Sequence, residues 1–131
     1  MLRRESPVKT VNEFIDCINR GDVRRMGELM TDEHRLYVFD EPPLTGRSAN
    51  MDAWTDYVTS FPKYRIHSHR VVGYGARVAV LGHTTGSHLG LSDDEEERFT
   101  LIWVAELAEG KILSFRLVED TPEWRRELGL D

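Results

Sequence analysis

Apolar residues recur every three to four positions through the first half of the chain, and every second position through most of the second half. The first spacing is typical of helices with one buried face, and the second is typical of strands. A first helix is predicted to begin after Ser6-Pro7, because proline is well tolerated at a first helical position, and to end before Gly21. Its predicted buried face holds Val11, Phe14, Ile15 and Ile18.

Two more helices and one strand are predicted in the first half. Asp22 is expected to cap a short second helix, whose apolar face is formed by Val23, Met26, Leu29 and Met30. The aromatic and β-branched run Arg35–Phe39 predicts a strand. A third helix is predicted to begin near Gly46 and to end before Pro62, because proline does not continue a helix.

The second half of the chain predicts four long strands, which are Tyr64–Val72, Arg77–His88, Phe99–Leu107 and Lys111–Glu119. The acidic run Ser92–Glu97 is interpreted as a solvated loop, and Thr121 is expected to cap a short final helix through Leu128. Helices segregated to one face of an antiparallel sheet define an α+β domain. A strongly curved sheet closed by three helices would form a cone with an open end, which favours an apolar pocket.

Size and composition narrow the functional classes. The 131 residues, 40% of them hydrophobic, predict a single domain over residues 1–131. A net charge of −6 argues against nucleic acid and against anionic membrane surfaces, because both attract basic proteins. Arg3-Arg4 is not followed by the apolar stretch of a secretory signal, and no apolar run is long enough to span a membrane. With Cys17 as its single cysteine, the protein is expected to be cytoplasmic.

Three stretches, Val11–Val23, Phe39–Arg47 and Gly110–Asp120, occur in an order that resembles the nuclear transport factor 2-like superfamily. Within it, the chain is similar to SnoaL-like and ketosteroid isomerase-like proteins, from about Val11 to Asp120. The resemblance implies a cone-shaped α+β barrel and a homodimer formed through the outer face of the sheet. It also implies either chemistry without metal or organic cofactor, as in isomerases, epoxide hydrolases, dehydratases and polyketide cyclases, or a binding module without chemistry.

Asp40 and Glu41 are the candidate catalytic base, because ketosteroid isomerase-like members place a carboxylate before a proline at this strand end. Such a base needs apolar walls, since desolvation raises the pKa of a carboxyl group. Strand alternation places Tyr37 and Glu41 on one face and Asp40 on the other. An aromatic cavity face would favour Glu41, whereas the family pattern favours Asp40. Alternatively, both acids solvate the turn at Pro42-Pro43.

The chain departs from the catalytic sets of characterised relatives. Phe14 stands where ketosteroid isomerases have a tyrosine, and Trp103 falls near the position of their second acid. Leu117 stands where limonene-epoxide hydrolase-like members have an acid. Ketosteroid isomerase activity is therefore not expected. The candidate proton donors that remain are Trp103, Tyr37 and His34, although His34 also fits a surface turn before the strand.

A small hydrophobic molecule is the expected ligand of the pocket, and Phe14, Tyr37 and Trp103 are among the residues expected to line it. Phe115, Leu117 and Glu119 share one face of the last strand, where Glu119 would be a rim carboxylate or a pocket group. Trp54 and Tyr57 lie three positions apart on the third helix and are either core or pocket wall. The sequence thus leaves open a cofactor-free acid/base enzyme and a non-catalytic ligand-binding or dimerisation module.

Three histidines are predicted to lie on the outer face of the sheet. His67 and His69 share a strand face, and a hairpin with an odd number of loop residues places His83 opposite His67. Three imidazoles can bind zinc, but no further ligand with suitable spacing completes a set, so no metal site is predicted. An interface with a second subunit, sensitive to pH through these histidines, is the preferred interpretation.

Overall fold

A computed structural model describes residues 6–131 of the protein, and Met1–Glu5, the stretch considered above for a secretory signal, lies outside them. Helices α1 to α5 span Pro7–Arg20, Val23–Leu29, Arg47–Ser60, Asp93–Glu96 and Pro122–Leu128. Strands β1 to β6 span Met30–Val38, Leu44–Thr45, Arg65–Tyr74, Arg77–Thr85, Leu101–Ala108 and Lys111–Glu119. The architecture is α+β, as the hydrophobic pattern predicts.

The ends of α1 are set by the residues that the sequence pattern singled out. The Ser6 hydroxyl accepts a hydrogen bond from the Lys9 backbone N–H, and Pro7 occupies the first helical position. Gly21 ends the helix in the left-handed conformation, with φ of 70°. Its backbone N–H donates to the carbonyl oxygens of Cys17 and Ile18 in the last turn, which would otherwise lack donors. These predictions are confirmed.

The six strands form one sheet in the order β2-β1-β6-β5-β4-β3. All neighbouring strands are antiparallel except β1 and β6, which run parallel, so the sheet is mixed rather than purely antiparallel. The pairing register shifts between Ser68 and Arg70 in β3, and again between Glu106 and Leu107 in β5. Such bulges bend a strand, and they curve this sheet around its helices.

Several predicted boundaries are wrong, and at β1 the reason is that pairing within the sheet overrides local preference. The predicted strand Arg77–His88 ends earlier, because β4 spans Arg77–Thr85. Strand β1 begins at Met30, which the sequence pattern assigned to the second helix, and pairs there with Ile112 of β6. His34 consequently lies within β1 and is fully buried, rather than in a surface turn. The acidic run is also not a loop throughout, since Ser92 and Glu95 form a capping box at the start of α4.

The sheet buries apolar residues on both faces. Helices α1 to α3 cover the inner face, where the main core includes Phe14, Val78 and Phe115. A smaller core on the outer face packs sheet residues against Leu128 and Leu130, at and beyond the end of α5. Part of the face that was expected to meet a second subunit is therefore covered by the chain's own C-terminal segment. Homodimer formation stays a prediction.

The bulge in β3 generates a prediction about Gly82 in β4. A Cβ at Gly82 would overlap the backbone carbonyl oxygen of His67, which cannot move without breaking the strand pairing. Gly82→Ala is therefore expected to lower the free energy of unfolding by more than about 2 kcal/mol in urea denaturation. Gly73→Ala is the matched control, because its Cβ would meet only the Val8 side chain, at 2.7 Å. Equal losses in the two variants would contradict this account.

Candidate functional site

An apolar cavity of about 210 Å³ lies between α3 and the inner face of the sheet. Its wall is almost entirely aliphatic and aromatic. The polar atoms belong to two tyrosines, two tryptophans and one histidine. The lining residues are Leu36, Val38, Ala53, Trp54, Tyr57, Tyr64, His88, Trp103, Phe115 and Leu117.

Strand alternation and helix periodicity explain why these residues converge. In the parallel pair, Leu36 lies beside Phe115 and Val38 lies beside Leu117, so four apolar side chains point to the inner face. Trp54 and Tyr57 are one helical turn apart on α3 and meet edge to face, with ring centres 6.2 Å apart.

Tyr57 and His88 form a hydrogen-bonded pair in the cavity wall. The Tyr57 hydroxyl lies 2.8 Å from His88 Nδ1 and also accepts the His88 backbone N–H at 3.2 Å. The hydroxyl has one proton and two acceptor lone pairs, so it can either donate to Nδ1 or accept a hydrogen from it, according to the tautomer of His88. The pair ties the loop after β4 to α3.

A buried carboxylate, Glu96, lies close to the tyrosines of the cavity wall. It is only 1% exposed, accepts a hydrogen bond from the Thr84 hydroxyl, and accepts the Ser87 backbone N–H at 3.4 Å. Burial raises the pKa of Tyr57 and of Tyr64, and the nearby Glu96 charge adds to both shifts. Both phenols therefore stay protonated at neutral pH. Sequence reasoning missed Glu96 because it treated the acidic run as solvated, although the Ser92-x-x-Glu95 spacing signals a helix start.

Trp54 presents a buried donor without an acceptor. The side chain is 9% exposed, and its Nε1 has no hydrogen-bond partner among residues 6–131. Three other buried side-chain atoms in this part of the chain share that condition, namely Thr31 Oγ1, His34 Nε2 and Asn50 Oδ1. Of these four residues, only Trp54 lines the cavity.

Five of the predicted pocket residues line this cavity, and three do not. Those that line it are Trp54, Tyr57, Trp103, Phe115 and Leu117. Phe14 is fully buried behind the wall, with its ring centre 5.1 Å from that of Phe115. Tyr37 contacts the Arg116 guanidinium, 4.0 Å from its ring centre, beside a polar outer-face groove. Glu119, at the end of β6, is exposed.

The candidate bases Asp40 and Glu41 are both exposed and lie outside the apolar cavity. Strand β1 ends at Val38, and Phe39 takes a left-handed conformation with φ of 51°, so strand alternation does not extend to the two acids. Asp40 instead lines a separate polar cavity of about 350 Å³ that also includes Glu119 and Arg116. The structure does not bring either carboxylate into the apolar cavity.

His34, the third candidate catalytic residue, is fully buried in β1 and does not line the cavity. Its Nδ1 lies 2.7 Å from the carbonyl oxygen of Ile112, which can only accept, so Nδ1 carries the hydrogen. Burial lowers the pKa of His34, and the bond to the Ile112 carbonyl opposes that shift only in part. The imidazole is therefore neutral at pH 7.

The predicted pairing of histidines is confirmed, since His67 lies directly opposite His83. Their rings stack with centres 4.6 Å apart, and His69 Nε2 lies 2.7 Å from His83 Nδ1. Within residues 6–131, no group of three or more histidine, cysteine or acidic side chains is arranged to hold a metal ion. None of the helices in that range has the length and apolar character needed to cross a membrane.

Comparisons with known proteins agree with this geometry. A family model described as a SnoaL-like domain matches residues 11–115. A cystatin-fold protein from Novosphingobium aromaticivorans has a TM-score of 0.77 at 17% identity, covering 88% of this chain and 99% of that one. An NTF2-like protein from Cytophaga hutchinsonii has a TM-score of 0.73 at 16% identity, covering 98% and 99%.

An LEH-like epoxide hydrolase from M. tuberculosis is similar as well, with a TM-score of 0.70 at 14% identity, covering 93% of this chain and 88% of that one. No curated protein sequence matches the chain. Identities this low show a shared fold, which by itself does not determine function.

Burial of His34 generates a prediction about pH and stability. Because the pKa of His34 is lowered in the folded protein, the unfolded chain takes up a proton first as the pH falls below about 6.5. The free energy of unfolding is therefore expected to decrease from pH 7.5 to pH 5.5, and His34→Gln should flatten that decrease in urea denaturation. The same substitution at a more exposed histidine, His83→Gln, is the comparison variant, because burial also lowers the pKa of His83. A His34→Gln slope equal to that of the wild type would contradict the prediction.

Proposed function

Because the chain belongs to the SnoaL-like domain family, within the NTF2-like superfamily, we propose that its apolar cavity binds a small hydrophobic molecule. The observation that carries this proposal is the wall itself, in which Trp54 and Tyr57 of α3 face the sheet residues Trp103, Phe115 and Leu117 around unfilled space. Native cores are close-packed, so an apolar space of this size inside a small domain is unusual unless a ligand fills it.

The cavity volume limits the size of the ligand. An apolar cavity of about 150 Å³ is sufficient to bind benzene. The present cavity, at about 210 Å³, has room for a single six-membered ring with one or two short substituents.

Acid/base catalysis without a cofactor is the second candidate function, and the Tyr57–His88 pair favours it. These two side chains, joined at 2.8 Å, are titratable groups in direct contact with the cavity. With Nδ1 occupied by the phenol, Nε2 is the nitrogen of His88 that carries or releases a proton. The candidate does not rely on Asp40 or Glu41, because both lie outside the cavity. The epoxide hydrolase of similar fold shows that this architecture accommodates hydrolytic chemistry in that protein.

Filling the cavity tests the binding proposal. Ala53→Phe places a second ring in the space between α3 and the sheet, and it is expected to weaken binding of fluorobenzene at least about tenfold, measured by ¹⁹F NMR titration. Thr59→Phe, an exposed position on the same helix, is the matched control and should bind as the wild type does. The proposal fails if the wild type does not bind fluorobenzene or if Ala53→Phe binds it equally well.

Proton exchange tests the catalytic candidate without knowledge of the natural substrate. The wild type is expected to accelerate exchange of the α-hydrogens of cyclohexanone for deuterium, followed by ¹H NMR in D₂O. Tyr57→Phe and His88→Gln should each reduce the accelerated rate by about 100-fold, since general acid/base groups contribute at that level. His67→Gln, an exposed histidine outside the cavity, should leave the rate unchanged. Exchange at the uncatalysed rate in the wild type would eliminate this candidate.

A further inference from the structure

The indole N–H of Trp103 is an unpartnered donor that a ligand in the apolar cavity can reach. Trp103 is 2% exposed, and no atom within residues 6–131 accepts a hydrogen bond from its Nε1. In that range the unpartnered side-chain atoms that are closed off from solvent do not include Trp103 Nε1, but belong to Thr31, His34, Asn50 and Trp54. Trp103 Nε1 therefore keeps accessible surface, whereas Trp54 Nε1, in the same wall, is sealed.

The position of Trp103 in the sheet directs this surface into the cavity. Strand β5 is a central strand, and Trp103 pairs with Val80 of β4 on one side and with Leu117 of β6 on the other. Trp103 belongs to the inner-face core, while its sequence neighbours Ile102 and Val104 belong to the outer-face core. The helices cover the inner face from bulk solvent, and Trp103 is part of the cavity wall. The accessible surface of its Nε1 is therefore cavity surface.

The other polar groups of the wall are engaged, sealed or open to water. The Tyr57 hydroxyl takes part in two hydrogen bonds with His88, whose exposed ring keeps its remaining nitrogen hydrated. Trp54 Nε1 is inaccessible. Tyr64 also lines a second opening, beside the end of α1, so its hydroxyl is not assigned to the apolar cavity. Trp103 Nε1 is thus the donor that the wall presents to a ligand.

We infer that Trp103 is a specificity-determining residue, whose Nε1 donates a hydrogen bond to a neutral acceptor oxygen of the ligand, of the ketone, aldehyde, ester or lactone class. This inference rests on the proposed function, since it names the chemistry of the molecule that the cavity binds. An indole N–H can only donate, so the ligand group that meets it must accept. An apolar ligand of the same shape would cover the donor and leave it unpaired, and is disfavoured for that reason.

The charge of the lining residues excludes an anionic acceptor. The cavity wall contains no lysine or arginine, and the nearby Glu96 carboxylate repels negative charge. A carboxylate ligand would lose its hydration without gaining a cationic partner. A neutral carbonyl oxygen loses far less hydration on burial, and its hydrogen bond to the Trp103 indole compensates for that loss.

The experiment compares two molecules of nearly equal shape, cyclohexanone and methylenecyclohexane, which differ only in carrying a C=O or a C=CH₂ group. Their binding to the wild type, to Trp103→Phe and to Trp54→Phe is measured by NMR titration. Trp54→Phe is the matched control, because it removes an indole of the same wall whose N–H a ligand cannot reach. The wild type and Trp54→Phe are expected to prefer cyclohexanone by about tenfold, since covering a donor with an apolar group is costly. Trp103→Phe should lose this preference.

A second readout is made on the wild type and does not depend on how Trp103→Phe folds. The indole N–H resonances of the three tryptophans in the ¹⁵N-labelled protein are assigned by elimination, from the spectra of Trp54→Phe and Trp124→Phe. The Trp103 resonance should move downfield with cyclohexanone and much less with methylenecyclohexane, while the Trp54 resonance moves little with either molecule.

The outcomes separate the inference from the proposed function. If fluorobenzene binds but the wild type shows no preference for cyclohexanone, the inference is overturned while the binding proposal stands. The same conclusion holds if Trp103→Phe keeps the preference, or if the Trp103 resonance responds alike to both molecules. If neither molecule binds and fluorobenzene also fails to bind, the proposed function is overturned together with the inference.

Discussion

The position of α3 depends on the side-chain amide of Asn50, and the cavity depends on the position of α3. Asn50 is fully buried, and its Nδ2 lies within 3.2 Å of the carbonyl oxygens of His34, Leu44 and Gly46. The N-terminus of α3 has no side-chain cap, so this internal amide joins the helix to β1 and β2. Together with the Gly46 N–H, which donates to the same His34 carbonyl oxygen, this attachment holds α3, and with it Trp54 and Tyr57, against the sheet.

The cavity is a consequence of how unequally the helices cover the inner face. At one end, α1 and α2 place large side chains such as Phe14 and Met26 directly on the sheet, and the core there is filled. Towards the ends of β1 and β6, α3 alone faces the strands, and its wall residues do not reach across.

Local sequence signals were sufficient where local chemistry determines the structure. The capping residues of α1 and α5, the full extent of β6, and the helical spacing of Trp54 and Tyr57 all follow from patterns within a few residues. The start of β1 does not, because Met30 joins the sheet only through its pairing with distant Ile112. The orientation of Asp40 could not be predicted from the sequence either. A single left-handed residue, Phe39, ends the strand alternation on which the prediction relied.

The two acidic segments show why a carboxylate near a pocket cannot be identified from composition alone. A buried carboxylate requires hydrogen-bond donors in place of water. Asp40 and Glu41 are exposed to solvent and have no such donors among residues 6–131, whereas Glu96 accepts hydrogen bonds from the Thr84 hydroxyl and the Ser87 N–H and is buried. Because Ser87 precedes His88, the same contact also fixes the loop whose histidine meets Tyr57. The acidic run therefore contributes to the cavity through one inward-facing carboxylate that holds a loop, while its other acids face water.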